Sequence, residues 1–306
     1  MNIVRAEDYH VPVMLQECLE GMQLRPEGCY VDVTFGGGGH SRAILKELQG
    51  AGMLYSFDQD PDAAARAPQQ PCFTFIASNF RHLARFMDYY DRLGQVDAIL
   101  ADLGVSSHHF DAMERGFSFR DETPLLDMRM NNRAGLSARD LLNSYEEEQL
   151  ADVLYRYGEL KQSRSLAKLI VKARSVAPLQ TVGDLIAALR PALRPDQEKK
   201  LLACIFQALR IEVNGELKAL EELLEASRRV LRPGGRLVVM TYHSLEDRIV
   251  KNFLKGTDDS AEAQIYGTAR SAWRLITRKP LVASAEELER NPRSRSAKLR
   301  IAERIR

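Results

Sequence analysis

The chain has 306 residues, 45% of them hydrophobic, enough for one large domain or one domain carrying a sizeable insert around a real core. Forty-three Lys and Arg stand against forty-two Asp and Glu, a net charge of +1, which excludes a global polyanion-binding surface and leaves only local ones. No apolar run approaches the roughly 18 residues of a membrane span, and MNIVRAEDYHVP lacks a charged-then-apolar leader, so the expected location is cytoplasmic.

In chain order, the first predicted strand is CYVDVTF (29–35), followed at once by four glycines, His40 and a helix-like run in DVTFGGGGHSRAIL. Glycines between a strand and a helix permit positive φ and close approach of backbone to a ligand, and the helix start offers unpaired N–H groups. The pattern Gly36-x-Gly38-x-x-Ser41 lacks the third glycine of the dinucleotide fingerprint, and no lysine with Ser or Thr closes a phosphate loop. The second strand, MLYSFD (53–58), ends on Asp58, placed to accept hydrogen bonds from a ribose diol. Asp60, just before Pro61, suits a helix cap.

CFTFIA (72–77) and VDAILAD (96–102) are the next strands, and the latter delivers Asp102 into the loop ADLGVSS (101–107). These strands are near-continuously apolar and alternate with helix-length segments, which predicts a parallel sheet covered by helices on both faces. From about 111 to 211 the rhythm changes to successive helical patterns, SARDLLNSY, EEEQLADVLYRYG, SRSLAKLIVKARS, TVGDLIAALRPAL and DQEKKLLACIFQALRIEV, an expected all-helical insert. A helix with Leu217, Leu220, Leu223, Leu224 and Leu231 on one face leads to Pro233-Gly234-Gly235 and a fifth strand, RLVVMTY (236–242). The expected domains are therefore 1–110 with 212–306, and 111–211. The tail from Arg290 to Arg306 holds seven Lys/Arg and one Glu, the only strongly basic stretch.

HVPVMLQECLEGM, DVTFGGGGHS, DLGVSS, ERGFSFRDETPLLDMRMN, FQALRIEVNGEL, RPGGRLVVMTYHSLEDRIVK and NPRSRSAKLRIAER together resemble the RsmH (MraW) family, which methylates N4 of a cytidine in the decoding centre of 16S ribosomal RNA. The resemblance runs from residue 10 to 304. It implies an α/β fold with a Rossmann-like class I methyltransferase sheet and an inserted helical domain for substrate recognition, S-adenosylmethionine as donor, and 16S rRNA of the small ribosomal subunit as partner. Carried over position by position, cofactor contacts fall on Gly38, Gly39, His40, Asp58, Phe80 and Asp102. The family usually continues DLGVSS with Pro-Gln, whereas this chain has His108-His109, so the Gln contact to the cofactor is either made by His109 or lost. LLACI likewise precedes FQALRI where the family usually has ATRT.

The chemistry agrees with that resemblance. The exocyclic amine of cytosine is a poor nucleophile that needs alignment and a proton acceptor more than a strong base. Asp102, or a backbone carbonyl of Leu103 to Val105, is the candidate acceptor, and His243 in YHSLEDR is a candidate on the substrate side, with Ser244 and Asp247 read as helix caps. C5-methylation would need a cysteine nucleophile, yet Cys18 and Cys204 sit in helical apolar patterns and Cys29 and Cys72 begin strands. The cysteines have no metal-ligand spacing either, so no metal site is expected. Phe117 and Phe119 are candidates for stacking on the base, and Arg290, Arg293, Arg295, Lys298 and Arg300 of the basic tail, with Arg115, Arg120, Arg129 and Arg133, for phosphate contacts. Two rivals remain: a dinucleotide-dependent oxidoreductase, and a non-catalytic RNA-binding assembly protein on the same fold. The oligomeric state stays open between monomer and homodimer.

Overall fold

The structure, a computed structural model, describes residues 12–104, 115–133, 135–256 and 271–305. The chain divides into two compact units, residues 1–104 with 217–306, and residues 105–216. Among the described residues, no helix is long and apolar enough to cross a membrane.

The first unit is built on a seven-stranded sheet in the order β3-β2-β1-β4-β5-β7-β6. Its strands are β1 (Cys29–Asp32), β2 (Met53–Asp58), β3 (Phe73–Ala77), β4 (Val96–Asp102), β5 (Leu231–Thr241), β6 (Trp273–Leu275) and β7 (Lys298–Arg304). β1 to β5 pair in parallel, whereas β7 runs antiparallel to both β5 and β6. This is the Rossmann-like methyltransferase sheet that the resemblance implies. Both faces are covered, because successive strand residues feed two separate cores. Val31, Tyr55, Ile99 and Val239 face one core with Leu83, Leu220, Leu224 and Val250. Tyr30, Leu54, Leu100 and Val238 face the other with Cys18, Ile44 and Leu48. The helices concerned are α1 (Leu15–Met22), α2 (Gly39–Leu48), α3 (Pro61–Ala64) and α4 (Leu83–Tyr89), then α10 (Glu216–Val230), α11 (Ser244–Lys255) and α12 (Ala285–Arg290).

Two departures from expectation have local causes. β1 stops at Asp32 as the chain turns into the glycine loop, although Val33 and Phe35 still donate to the Leu100 and Phe57 carbonyls of the neighbouring strands. In β5, Leu231 pairs with Val96 and Arg236 with Ala98, so residues 232–235 bulge out around Gly234 at φ 77°. The turn expected at Pro233-Gly234-Gly235 is thus a break inside a longer strand.

The second unit is helical: α5 (Ala138–Ser144), α6 (Glu147–Gly158), α7 (Ser163–Arg174), α8 (Val182–Leu189) and α9 (Glu198–Asn214). Capping boxes start three of them, Ser137 with Asp140, Glu146 with Gln149, and Thr181 with Asp184. Leu141, Leu150, Leu154, Leu166, Ile170, Leu185, Ile205 and Leu209 form its core.

Candidate active site

Open parallel sheets bind ligands beyond the carboxyl ends of their strands, where the strand order reverses. Here that point lies beside β1, between β2 and β4. Asp32 ends β1 and is fully buried. It accepts from Ser41 Oγ at 2.6 Å, Thr34 N at 3.0 Å and Thr34 Oγ1 at 3.3 Å, and Ser41 Oγ lies 2.8 Å from Ser56 Oγ. Burial pushes the Asp32 carboxyl up, against the opposing pull of His40 and the donors from Ser41 and Thr34. This buried network ties the helix behind the glycines to the ends of β1 and β2.

In the glycine loop, Gly36 and Gly38 have φ of 53° and 77°. A Cβ on Gly38 would stand 2.7 Å from the Phe35 ring, and one on Gly39 would stand 2.5 Å from Pro12. Bare backbone is therefore required first by the turn itself. Arg42 reaches back to the Gly37 carbonyl. Asp58 holds the loop from the end of β2, accepting from Gly36 N at 2.7 Å and Asp60 N at 2.8 Å. Asp60 caps α3, accepting from Asp62 N with Pro61 at the first helical position. On the neighbouring strand end, Asn79 donates to Gln59 at 2.8 Å, and Phe80 is half-buried against the core that α4 covers.

Asp102 ends β4. The Tyr242 hydroxyl donates to its Oδ1 at 2.8 Å, Gly104 N lies 3.4 Å from the same oxygen, and His40 Nδ1 lies 3.8 Å from Oδ2. Thr34 Oγ1 links the two aspartates, donating to Asp32 and accepting from Asp102 N at 2.8 Å. Burial, then the Asp102 charge, pushes the Tyr242 phenol far up, so it stays a donor. A Cβ on Gly104 would meet the Tyr242 ring at 2.8 Å, so the glycine of ADLG also makes room for the side chain that holds Asp102. His40 is buried with Nε2 3.1 Å from the Val13 carbonyl, which fixes the proton on Nε2. It anchors the segment before α1 as well as facing Asp102.

His243 is the N-cap of α11: its Nδ1 lies 3.5 Å from Glu246 N, and Glu246 Oε2 accepts from Tyr242 N at 2.8 Å and His243 N at 3.3 Å. Its Nε2 is 3.1 Å from Glu246 Oε1, off the line of a hydrogen bond. The capping pair is therefore His243 with Glu246, not Ser244 with Asp247. Asp247 turns instead to Arg300 at 2.7 Å and Lys298 at 3.7 Å.

That pairing corrects the reading of the basic tail. Lys298, Arg300 and Arg304 belong to β7, inside the sheet, and Arg300 is buried. Arg293 and Arg295 stay exposed in the turn before it. In the helical unit, Phe117 is buried in the core, with the Arg115 guanidinium 5.6 Å from its ring centroid, and Phe119 packs edge-on against Phe206 at 5.4 Å. Core packing accounts for both rings. Arg115 donates to the Arg129 and Met130 carbonyls, and Arg129 grips Asp127 at 2.6 and 2.9 Å, so neither guanidinium is left for phosphate. Arg120 and Arg133 are exposed. His109 lies outside the described residues.

Burial raises the Cys18 thiol well above its ordinary range, pushes Cys29 to about 11 and raises Cys204. Cys72 is buried. These are packing residues rather than nucleophiles. Sequence reasoning passed over Asp32, Thr34, Ser41, Ser56, Tyr242 and Glu246. The available signal was a polar residue inside each apolar strand run, as in YVDV and LYSF, since a buried polar group needs a partner.

The chain is 63% identical over 303 residues to the ribosomal RNA small subunit methyltransferase H of Porphyromonas gingivalis, with 97% of each chain covered. It is 57% identical over 298 residues to the protein of that name from Bacteroides thetaiotaomicron, again covering 97% of each. Among solved structures, TrmN from Thermus thermophilus aligns with a TM-score of 0.41 at 12% identity, over 95% of this chain and 48% of that one, about half its length. The model of the MraW methylase family matches residues 7–305, and the chain belongs to that family.

Proposed function

We propose that the protein transfers a methyl group from S-adenosylmethionine to N4 of a cytidine in the decoding centre of 16S rRNA, within the small ribosomal subunit. The observation that carries this reading is Asp102: a strand-end carboxylate beside the glycine loop, met among the described residues by a phenol, an amide and an imidazole rather than by a guanidinium or ammonium. Such a carboxylate suits a cationic ligand and a developing ammonium. Relatives named for methylation of small-subunit ribosomal RNA support the substrate class.

The residues fit the cofactor. Asp58, whose two oxygens already order the loop, would take the ribose hydroxyls, Phe80 would contact the cofactor, and Gly38, Gly39 and His40 would line its amino-acid end. S-adenosylmethionine supplies an electrophilic methyl on a sulfonium. The protein's own task is to align the N4 lone pair with the methyl as the carbon–sulfur bond breaks, and to receive the proton that the positively charged, methylated nitrogen then loses. Asp102, oriented by Tyr242, accepts a hydrogen bond from the amine and then that proton. His243 stands at the end of β5 on the substrate side, held by Glu246. Arg293 and Arg295 offer exposed charge to the RNA, and the helical unit serves as the substrate-recognition domain. The target cytidine is unpaired or flipped, because a stacked amine cannot reach a buried donor.

The test is to incubate the protein with isotopically labelled S-adenosylmethionine and small subunits lacking the modification, then locate the label by mass spectrometry. Label on N4 of a single cytidine is the expected result. Label elsewhere, or none with cofactor and particle both bound, overturns it.

A further inference from the structure

Arg164, Lys168 and Lys172 succeed one another at four-residue spacing along α7, so they share one face of that helix. All three are exposed, as are Ser165 and Ser175 on the same face, whereas Leu166, Ala167 and Ile170 opposite them are buried in the core of the helical unit. Lys161, in the turn before the helix, is exposed too. No Asp or Glu occurs from Leu160 to Pro178. Among the described residues, none of these four cations makes an ion pair. The other cation of α7, Arg174, is turned inward and donates to the Leu142 carbonyl at 2.7 Å.

This arrangement works against the helix. Like-charged pairs four residues apart destabilise a helix, and α7 carries two in series with no acid to relieve them. The tail strand shows the contrast, since Lys298 and Arg300 share the Asp247 carboxylate. Cations repeating about once per turn, every 5.4 Å or so, match an extended row of negative charges rather than one anion.

We propose that this face of α7 is a contact surface for the phosphate backbone of the RNA substrate. It positions the RNA and reads no sequence. The inference rests on the rRNA reading above and deepens it.

The test uses the full-length protein and a fluorescent transcript of small-subunit rRNA, with affinity measured by anisotropy from about 50 to 200 mM KCl. Lys168→Gln/Lys172→Gln should make the slope of log K against log salt shallower by about 1.5 to 2 and weaken low-salt binding about tenfold. Lys168→Glu/Lys172→Glu should weaken binding further. Circular dichroism melting should not fall below the unsubstituted value, and calorimetric affinity for S-adenosylmethionine should stay at it, in both. Unchanged slope and affinity in both variants, with the parent protein binding the transcript, overturns the α7 surface and leaves the methyltransferase reading standing. Weaker binding to assembled small subunits with unchanged binding to the transcript overturns it too, in favour of an acidic protein partner. A parent protein that neither binds the transcript nor methylates small subunits sinks the rRNA reading itself.

Discussion

Strand β4 carries an aspartate near its start and another at its end, and their surroundings are opposite. Asp97 accepts from Cys29 N at 2.8 Å and Arg232 Nε at 2.6 Å, and a second guanidinium, Arg25, closes on it from the loop before β1. Burial alone would raise its carboxyl, but the Cys29 amide and the two arginines outweigh burial and hold it below the usual carboxylate range. Asp102 has a phenol at 2.8 Å, an amide at 3.4 Å and an imidazole at 3.8 Å. One strand thus carries a fully neutralised carboxylate that fastens β1, β4 and β5 at the amino end. At the carboxyl end it carries one that, among the described residues, meets no guanidinium or ammonium. Acidic residues flank both ends of VDAILAD, so what separates structure from chemistry is the supply of counter-charge.

Replacing each aspartate by alanine is the largest test of that contrast. Asp102→Ala should lower kcat/KM for methyl transfer by about a hundred- to a thousandfold, as loss of a preorganised polar group at a reacting centre does, with a smaller effect on stability. Asp97→Ala should leave affinity for S-adenosylmethionine unchanged and remove about 1.5–3 kcal/mol of stability, read from urea midpoints. If both variants lost activity in proportion to their unfolding, the two ends of β4 would not differ in kind.

Next comes Asp58→Ala, expected to weaken the calorimetric affinity for S-adenosylmethionine ten- to a hundredfold, about 1.5–3 kcal/mol for a charged hydrogen-bonding group. An unchanged affinity would confine Asp58 to ordering the loop through Gly36 and Asp60.

A smaller effect is expected of Tyr242→Phe, about a three- to tenfold fall in kcat, in line with one hydrogen bond. An unchanged kcat would mean that the phenol does not orient Asp102 for the proton-accepting step.

The smallest effect is the acid dependence of stability. The depressed pKa of Asp97 contributes stability that is present above its unfolded value, about 3.9, and is lost as pH falls through the lower folded value. Asp97→Asn should therefore flatten the melting-temperature curve below about pH 4 and lower it above. Asp32 has the opposite sign: its raised folded pKa gives stability below the unfolded value that is lost as pH rises through the folded one. A curve for Asp97→Asn parallel to the parent's at every pH would mean that the arginines do not hold Asp97 ionised.

Much of this molecule is written locally in its sequence. Strands covered on both faces must be apolar at consecutive positions, so β1 to β4 stand out in one dimension, and Asp60 before Pro61 declares its cap because capping is satisfied within two residues. The helices of the second unit declare themselves through their Ser137–Asp140 and Thr181–Asp184 boxes for the same reason. Other features depend on partners far along the chain. Lys298–Arg304 alternates Leu299 and Ile301 with charged residues, yet it is a central strand only because Asp247 and Glu303 neutralise Arg300 and Arg236 within the folded sheet. The sequence of YHSLEDR allows either His243 or Ser244 to cap α11, and the choice falls to Glu246 reaching back to the Tyr242 and His243 amides. The glycine run by itself marks a tight turn. Asp58 gripping Gly36, Ser41 buried on Asp32, and Asp102 meeting no guanidinium or ammonium among the described residues come together only when four strand ends converge, because electrostatic neutralisation is a property of three-dimensional neighbours and not of spacing.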